Sequence, residues 1–204
     1  MSILPKIRFK DQAFRLREDA ILDAAASTLA AKGFDLMTMD DVALAVGISK
    51  PSLYKHFKSK DELVGEAMVR LIDGALAYFE QLPASLAPVE RLRNLLEWAL
   101  RIRLAGGLPL MPSTSAQVRE TLTGNTRYMM RVLKLNGQLE KVVQAGKKSG
   151  ALRGDLPDAV ILFSYYARTC DPTVDYLRLY AKMDDEAIVG YMTDVFFQGV
   201  CRAP

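Results

Sequence analysis

The stretch that decides the fold is residues 38–63, TMDDVALAVGISKPSLYKHFKSKDEL. Thr38 is followed three residues later by Asp41, which is the spacing of a capping box and predicts a helix that starts at Met39. Gly47 can adopt the positive φ that a sharp turn between two helices requires. The pattern therefore predicts a short helix that ends in a tight turn.

A second short helix follows this turn. Ser49 is a predicted N-cap, and Pro51 falls in the first turn, where its missing N–H costs no hydrogen bond. We expect the helix to cover residues 50–56 and to bury Leu53 and Phe57. Two short helices joined by a four-residue turn and packed on a preceding helix form a helix-turn-helix.

Longer helices flank this element on both sides. Apolar residues at helical spacing between residues 18 and 32 predict a helix that ends at Gly33. Ser59 and Glu62 form a second capping box, which begins a helix predicted over residues 60–82. At 1.5 Å per residue this helix is roughly 33 Å long, which is enough to join two parts of the chain.

The remaining sequence also has helical periodicity, and no segment alternates as a half-buried strand would. The predicted helices are one that ends at Gly106 and Gly107, then residues 116–122, 126–148, and 158–169 with a bent continuation over 176–182. The last predicted helix follows Asp184, which is its predicted N-cap, and runs to about residue 201. The fold class is therefore all-α. A three-helix helix-turn-helix domain over residues 1–62 is joined by the long helix to a larger helical domain over residues 63–204.

The composition excludes several classes of protein. The 204-residue chain has one histidine, His56, so a metal site with two histidines cannot form within one chain. Its two cysteines, Cys170 and Cys201, cannot form a disulfide framework, which favours a reducing cytoplasm. We find no nucleotide-binding glycine motif and no apolar run of about 18 residues that could span a membrane. We therefore predict no catalytic residue, no metal, no cofactor and no membrane partner.

Basic residues are concentrated in two places, although the net charge of the chain is only +3. Residues 1–17 contain five basic side chains and one acidic side chain, namely Lys6, Arg8, Lys10, Arg15 and Arg17 with Asp11. The charged side chains between Asp41 and Asp61 are Lys50, Lys55, Lys58 and Lys60. Two such clusters would attract a polyanion.

The second short helix carries polar side chains without negative charge on its predicted exposed side, including that of His56. Lysine ammonium groups neutralise phosphates, and the hydroxyls of Ser52 and Tyr54 can contact phosphate oxygens. Lys55 can reach the O6 and N7 atoms of guanine in the major groove. The pattern indicates a protein that binds double-stranded DNA through this helix.

Residues 21–63 resemble the N-terminal DNA-binding domain of the TetR (tetracycline-repressor) family of bacterial regulators. The matching residues are Ile21, Ala24, Ala25, Leu29, Lys32, Gly33, Phe34, Thr38, Met39, Val42, Ala43, Gly47, Ile48, Ser49, Leu53, Tyr54, His56, Phe57, Ser59, Lys60 and Leu63. The sequence departs from the commoner Gly-Thr of that family at Pro51-Ser52. The resemblance implies phosphate contacts by Thr38, Tyr54, His56 and Lys60, and groove contacts around Lys50, Pro51, Ser52 and Lys55. With the cap Ser49, these nine residues are the predicted DNA-binding set.

Aromatic and sulfur-containing side chains in the larger domain are candidates for a ligand cavity. They are Trp98, Met111, Tyr128, Met129, Tyr165, Tyr166 and Cys170. Ligand cavities are mostly apolar with a few polar groups, a description that these side chains fit, but an ordinary helical core would contain the same residue types. We keep both interpretations open. The expected ligand is a small, mostly apolar effector.

The last two predicted helices have wide apolar faces. The residues are Leu162, Tyr165, Tyr166, Thr169, Ile188, Met192, Val195, Phe196, Gly199 and Val200. Paired with a two-fold mate they would form a four-helix interface, which is the arrangement that the resemblance implies. One recognition helix makes few base contacts, whereas two copies about 34–36 Å apart can bind a palindromic operator.

We therefore predict a cytoplasmic homodimer that regulates transcription as a repressor. It would bind an inverted-repeat operator and leave it when the effector enters the larger domain. Two alternatives stay open. One is a small helical enzyme that uses the C-terminal cavity, and the other is a DNA-binding dimer whose C-terminal domain binds no ligand.

Overall fold

The computed structural model describes residues 9–109, 111 and 116–201, with side chains from Asp11 onward. Lys6 and Arg8 of the N-terminal basic cluster lie outside the described residues. The helices are α1 (Phe9–Leu36), α2 (Met39–Val46), α3 (Lys50–Leu53), α4 (Lys60–Gln81), α5 (Pro88–Leu104), α6 (Ala116–Thr123), α7 (Thr126–Lys148), α8 (Asp158–Thr169), α9 (Thr173–Leu179) and α10 (Asp185–Val200). Within the described residues there is no strand, only an isolated antiparallel bridge between Leu152 and Cys201. The all-α prediction is confirmed, and none of these helices is long and apolar enough to cross a membrane.

The chain divides into two compact units, unit 1 (residues 1–67) and unit 2 (residues 68–204). The division falls within α4, about two turns after its start. We had placed the boundary between residues 62 and 63, near the first residue of the same helix. The helix thus begins in unit 1 and ends in unit 2.

Unit 1 is built on α1. Its apolar stripe of Ile21, Ala25 and Leu29 is buried, as the helical spacing predicted. The helix is interrupted at Gly33, where φ is 74°, so the predicted end of the regular helix is confirmed. However, α1 begins at Phe9 rather than near residue 18. The added turns contain no glycine or proline, and their residues therefore continue the helix ahead of the buried stripe.

The core of unit 1 is completed by α2 and α3. Helix α2 packs on α1, and α3 packs on α2. The buried side chains from these helices and the adjoining segments are Phe34, Met37, Met39, Val42, Ala43, Leu53 and Phe57. The two short helices are therefore held on α1 by a continuous apolar cluster.

Helix α5 lies at the centre of unit 2 and packs against α7, α8 and α10. Its buried side chains are Leu92, Leu95, Leu96, Ala99, Leu100 and Leu104. They cover more than one side of the helix because neighbours surround it, which is why its apolar pattern is wider than a single stripe. The helix predicted over residues 126–148 is confirmed as α7.

The structure differs from the prediction between α8 and α10. We expected residues 176–182 to continue the helix 158–169 after a bend, but α8 ends at Thr169 and α9 is a separate helix. The Asp171 carboxylate accepts a hydrogen bond from the Thr173 N–H at 2.9 Å, and Pro172 has no N–H to continue a helix. These two features end one helix and start the next.

Candidate nucleic-acid interface

The first turn of α2 is held by a complete capping box. The Thr38 hydroxyl accepts a hydrogen bond from the Asp41 N–H at 3.1 Å, and the Asp41 carboxylate accepts one from the Thr38 N–H at 2.9 Å. Asp41 also pairs with the Lys32 ammonium of α1 at 2.7 Å. The hydrogen bonds from Lys32 and then Thr38 lower the pKa of Asp41 to about 2. The prediction from the 38/41 spacing is confirmed, and Lys32 in addition ties α2 to α1.

Gly47 forms the turn between α2 and α3. It is in the left-handed conformation, with φ 74° and ψ 33°. Its N–H donates to the Leu44 carbonyl at 3.1 Å and so closes the C-terminus of α2. A residue with a Cβ would be strained at this φ. The predicted turn at Gly47 is confirmed.

Helix α3 begins as predicted but is shorter. The Ser49 hydroxyl caps it by accepting a hydrogen bond from the Ser52 N–H at 3.3 Å. The helix covers Lys50–Leu53 rather than residues 50–56. The chain then tightens into a turn of the 3₁₀ type, in which the His56 N–H donates to the Leu53 carbonyl at 2.9 Å. Leu53, the last residue of α3, is buried and anchors the helix on unit 1.

Most of the predicted DNA-binding set is exposed. The exposed residues are Thr38, Ser49, Lys50, Pro51, Tyr54 and Lys55, and Ser52 is half-buried. These six exposed residues, none of which carries a negative charge, run from the start of α2 to the turn after α3. We call them the candidate DNA surface.

The two lysines of the candidate DNA surface have different partners. The Lys50 ammonium lies 2.9 Å from a carboxylate oxygen of Asp40. The exposed Lys55 side chain forms no ion pair with any residue that the structure describes. Lys55 can therefore meet a phosphate or a base edge directly, whereas Lys50 must first leave Asp40.

His56 is not on the exposed side where we placed it. Its side chain is only 2% exposed, and its ring stacks on that of Phe14 in α1 with the ring centres 4.1 Å apart. Its Nδ1 lies 3.8 Å from a Glu18 carboxylate oxygen and has no hydrogen-bond partner among the described residues. The expectation of an exposed imidazole is wrong because Phe14, in the part of α1 that we did not predict as helix, covers the ring.

Lys60, expected as a phosphate contact, is engaged within unit 1. Its ammonium donates to the Phe34 carbonyl at 2.9 Å and lies 4.3 Å from the centre of the Phe34 ring. These contacts attach the start of α4 to the segment after Gly33. A phosphate would have to compete with both of them.

The second capping box forms only in part. The Glu62 N–H donates to the Ser59 hydroxyl at 3.1 Å, as predicted. The Glu62 carboxylate accepts a hydrogen bond from the Lys58 N–H at 2.6 Å, rather than from the Ser59 N–H. The start of α4 is therefore capped, with the return bond made one residue earlier in the chain than expected.

Unit 2 contains a cavity of about 100 Å³. Its wall residues are Ile72, Met111, Tyr128, Val132, Leu135, Asn136, Phe163 and Tyr166. Three of the predicted ligand-binding residues are among them, namely Met111, Tyr128 and Tyr166. Sequence reasoning missed the others, although Tyr128, Val132, Leu135 and Asn136 share one face of α7 at helical spacing. That spacing was a signal that could have found them.

Four of the predicted ligand-binding residues do not line the cavity: Trp98, Met129, Tyr165 and Cys170. Tyr165 is buried, and its hydroxyl donates to the Leu92 carbonyl at 3.0 Å. The Trp98 ring stacks on Tyr78 with the ring centres 5.6 Å apart. For Tyr165 in particular, the helical-core interpretation is the one that its packing supports.

The polar groups of the cavity are two phenols and one amide. The Tyr166 hydroxyl donates to the side-chain oxygen of Asn136. Burial raises the pKa of Tyr128 to about 12 and also raises the pKa of Tyr166, so both phenols stay neutral near pH 7. No charged side chain is among the described wall residues. The cavity can hydrogen-bond an uncharged group but offers no opposite charge to an ion.

Helices α8 and α10 expose apolar side chains, which we together call the exposed strip. It consists of Val160 and Phe163 on α8 and of Tyr191 and Val195 on α10, with Phe163 63% and Val195 62% exposed. Most of the side chains that we had assigned to a dimer interface are instead buried within unit 2, namely Tyr165, Tyr166, Thr169, Ile188, Met192, Phe196 and Val200. The assignment of these side chains to a dimer interface needs correction because they pack in the core of unit 2. The opposite faces of α8 and α10 are the ones exposed to solvent.

Comparison with known proteins supports the interpretation of unit 1 as a helix-turn-helix domain. The sequence profile of the family described as "Bacterial regulatory proteins, tetR family" matches residues 21–67. The HTH-type transcriptional repressor KstR2 of Mycolicibacterium smegmatis is 36% identical over 80 residues, which are 39% of this chain and 39% of that protein. KstR2 of Rhodococcus jostii is 26% identical over 166 residues, 79% of this chain and 80% of that protein. The first of these matches spans about two fifths of the length of the curated relative.

Solved structures share the fold over both units. KstR2 of Mycobacterium tuberculosis, described as a ketosteroid transcriptional regulator, has a TM-score of 0.65 at 23% identity, covering 92% of this chain and 96% of that one. A TetR-family regulator from Agrobacterium tumefaciens has a TM-score of 0.68 at 20% identity, covering 92% and 99%. The sequence match in unit 1 and the shared fold agree with the capped helix-turn-helix described above. Residues 21–67 therefore match the tetR family of bacterial regulatory proteins, and the chain shares its fold with solved regulators of that family.

Proposed function

We propose that this chain is a DNA-binding transcriptional regulator that acts as a repressor. The observation that carries the proposal is the candidate DNA surface, on which Tyr54 and Lys55 are exposed directly after a helix that Ser49 caps. The names of the KstR2 relatives, which are transcriptional repressors, support the direction of regulation.

The chemistry of this surface suits duplex DNA. The Lys55 ammonium neutralises a phosphate or donates to a guanine edge, and the Tyr54 hydroxyl donates to a phosphate oxygen. The Thr38 hydroxyl donates to the Asp41 carboxylate at 2.8 Å and would have to exchange that bond for one to a phosphate. Because Leu53 is buried and Gly47 fixes the turn, these side chains are presented in a defined geometry. A defined geometry lets the contacts discriminate between sequences as well as attract a polyanion.

The test starts with selection of a binding sequence from a random duplex library by the purified protein. Lys55→Ala should then weaken binding to the selected duplex by about 1–3 kcal/mol, or reduce the salt slope by about 1 if Lys55 contacts a phosphate. Lys141→Ala, which changes an exposed lysine of unit 2, is the matched control and should bind as the parent does. Tyr54→Phe tests the hydroxyl separately.

An unchanged affinity and an unchanged salt slope in both Lys55→Ala and Tyr54→Phe would overturn the assignment of this surface. A parent protein without steep salt-dependent DNA binding would favour the alternative of a small helical enzyme.

The second part of the proposal is a homodimer that forms through α8 and α10 and reads an inverted repeat. The exposed strip of Val160, Phe163, Tyr191 and Val195 is apolar and lies on two helices, so a two-fold copy would complete a four-helix interface. Two linked reading heads also bind far more tightly than one.

Val195→Asp tests the dimer, because a charge in the centre of such an interface is costly while the exposed position leaves the fold of the monomer unaffected. We expect a monomer in analytical ultracentrifugation and an affinity for the selected duplex that is about 10²-fold weaker or worse. Leu133→Asp, at an exposed apolar position of α7, is the control and should remain dimeric. A Val195→Asp variant that stays dimeric would exclude this face.

The third part of the proposal is an uncharged, mostly apolar effector that binds in the cavity. Its wall is apolar apart from Tyr128, Tyr166 and Asn136, and an ion would be buried there without an opposite charge. A cavity of about 150 Å³ can hold benzene, so this smaller one suits one end of a ligand whose remainder extends past the exposed Phe163. Ile72 of the wall belongs to α4, so an effector would contact the helix that begins in unit 1.

Octan-1-ol and octanoate form a matched pair of probes for this cavity. The alcohol should raise the melting temperature of the protein in a concentration-dependent way, and the carboxylate should not, because only the neutral head group can be buried next to the Tyr166–Asn136 pair. Equal stabilisation by both probes would contradict the neutral-ligand proposal. If neither these probes nor a broad set of neutral compounds changes the melting temperature or the DNA affinity, the ligand-independent dimer is favoured.

A further inference from the structure

Lys50 of the candidate DNA surface forms an ion pair with the neighbouring Asp40. The Lys50 ammonium is 2.9 Å from Oδ1 and 3.0 Å from Oδ2 of Asp40. Both side chains remain largely exposed, at 55% for Lys50 and 63% for Asp40. The pair joins the first turn of α2 to the first residue of α3, so a cation predicted to meet DNA is already held by a carboxylate of the same unit.

The Lys50 ammonium can exchange Asp40 for another anion at little cost in stability. Exposed ion pairs contribute little net stability, and the flexible lysine stem can move its ammonium to another anion at low cost. Asp40 lies in the first turn of α2, where the positive end of the helix dipole and water still stabilise its charge after Lys50 leaves. Neither partner therefore has to be left buried and unpaired.

The neighbouring Asp41 shows the contrast. Its carboxylate accepts hydrogen bonds from the N–H and the hydroxyl of Thr38 and from Lys32 of α1, so it is part of the capping box. Asp40 makes no comparable contact with the backbone among the described hydrogen bonds. The two adjacent aspartates thus have different surroundings. Asp41 is part of the capping box, whereas Asp40 faces Lys50.

We propose that Asp40 competes with DNA phosphates for Lys50 and so lowers the affinity of the helix-turn-helix for duplex DNA; this inference rests on the proposed function. When DNA binds, the Lys50 ammonium transfers from the Asp40 carboxylate to a phosphate. The phosphate releases its counterion, but Asp40 then takes up a cation from solution. The net number of ions released per protomer is smaller than the number of phosphate contacts suggests.

The test compares the parent with Asp40→Asn by fluorescence anisotropy, using a labelled duplex of mixed sequence and a series of KCl concentrations. Asp40→Asn should bind about two- to fivefold more tightly per protomer at low salt, which corresponds to losing one exposed competing pair. The slope of log affinity against log salt should become steeper by up to about 0.9 per protomer. Asp40→Glu keeps the carboxylate and should restore the behaviour of the parent.

Three further variants separate competition for Lys50 from a general effect of charge. Asp35→Asn makes the same change in net charge at another exposed carboxylate of unit 1 and should have a smaller effect. In a Lys50→Ala background, Asp40→Asn should change the affinity little, because the lysine for which Asp40 competes is gone. An effect of the same size with Asp35→Asn, or one fully retained in the Lys50→Ala background, would overturn the inference, since Asp40 would then act through its charge alone.

The remaining outcomes are also decisive. The inference fails if Asp40→Asn has the melting temperature of the parent but does not bind DNA more tightly. Weaker binding would mean that Asp40 positions Lys50 for DNA, and unchanged binding would mean that Asp40 neither positions Lys50 nor competes for it. Asp40→Ser, which also suits the first turn of a helix, replaces Asp40→Asn if that variant is destabilised. If the parent shows no salt-dependent binding to duplex DNA, the proposed function itself fails, whereas a binding parent with an unresponsive Asp40 defeats only this inference.

Discussion

The helix-turn-helix of unit 1 and the helical core of unit 2 are specified by different kinds of signal in the sequence. In unit 1, Thr38 and Ser49 cap α2 and α3, and Gly47 sets the turn between them. In unit 2, α5 and α8 begin without a side-chain cap, and the helices are positioned mainly by apolar faces that pack on one another. Local hydrogen-bonding signals can be recognised in a single sequence, whereas an apolar face reveals its partner only in the folded chain.

The largest expected effect would test the small core of unit 1. Leu53→Ala removes a completely buried side chain of α3 and should lower the free energy of unfolding of unit 1 by about 2–5 kcal/mol. Leu44→Ala makes the same change at a side chain of α2 that is 83% exposed, and should cost about 0.5 kcal/mol or less. Native-state hydrogen exchange resolves the two units and measures both variants. Equal losses in the two variants would contradict the burial pattern.

The next largest effect is expected from removing one helix cap in each unit. The Asn125 side-chain oxygen accepts a hydrogen bond from the Tyr128 N–H at 3.0 Å and caps α7, as Thr38 caps α2. Thr38→Ala and Asn125→Ala should each cost about 1 kcal/mol in chemical denaturation, because each leaves a helix N–H without its cap. Only Thr38→Ala should also weaken DNA binding, and Thr38→Ser should recover most of both losses. Equal loss of DNA affinity in Asn125→Ala would break the assignment of DNA binding to unit 1.

Two adjacent tyrosines provide a smaller test within unit 2. Tyr165→Phe removes a hydrogen bond to the Leu92 carbonyl, and Tyr166→Phe removes one to Asn136 in the cavity wall. Each change should lower the free energy of unfolding by about 0.5–1.5 kcal/mol. Only Tyr166→Phe should alter the shift in melting temperature caused by octan-1-ol. An altered shift in Tyr165→Phe alone would mean that the ligand binds elsewhere.

The smallest effect concerns acid stability. The pKa of Asp41 is lowered to about 2 by hydrogen bonds from Lys32 and Thr38, whereas an aspartate in an unfolded chain titrates near pH 4. The folded state therefore favours the ionised carboxylate, and this stabilisation is present above about pH 4 and is lost as the pH falls towards about 2. Asp41→Asn should flatten the pH dependence of the unfolding of unit 1 in this window.

The control for the acid experiment lies in unit 2. A hydrogen bond from Lys147 lowers the pKa of Asp158, so Asp158→Asn should change the acid dependence of unit 2 and leave that of unit 1 as in the parent. A pH dependence of unit 1 that Asp41→Asn does not alter would show that the capping box contributes nothing to acid stability.

The features predicted correctly from the sequence depend on neighbours along the chain. A capping box joins residues three apart, and a glycine with positive φ needs only its own backbone, so Thr38, Gly33 and Gly47 could be assigned from the sequence. The cap at Asp184 is confirmed for the same reason, because its carboxylate accepts the Ala187 N–H at 2.9 Å.

The features that were missed depend on residues distant in sequence. His56 is covered by Phe14, which is 42 positions earlier in the chain and belongs to turns of α1 that we did not predict as helix. Its burial could not be deduced from the motif around it. Trp98 and Tyr165 have the residue types of a ligand site, but their contacts with Tyr78 and Leu92 place them in packed regions outside the cavity wall.

The amino-acid sequence by itself determined the helical class, the positions of most helix ends and the helix-turn-helix, because caps, glycine turns and helical periodicity act over a few residues. Tertiary structure alone decided which apolar faces of α8 and α10 enter the core, which side chains surround the cavity, and that Asp40 holds Lys50. These outcomes depend on which surfaces meet when the chain folds. A buried face and an interface face have the same apolar composition, so only the packing tells them apart.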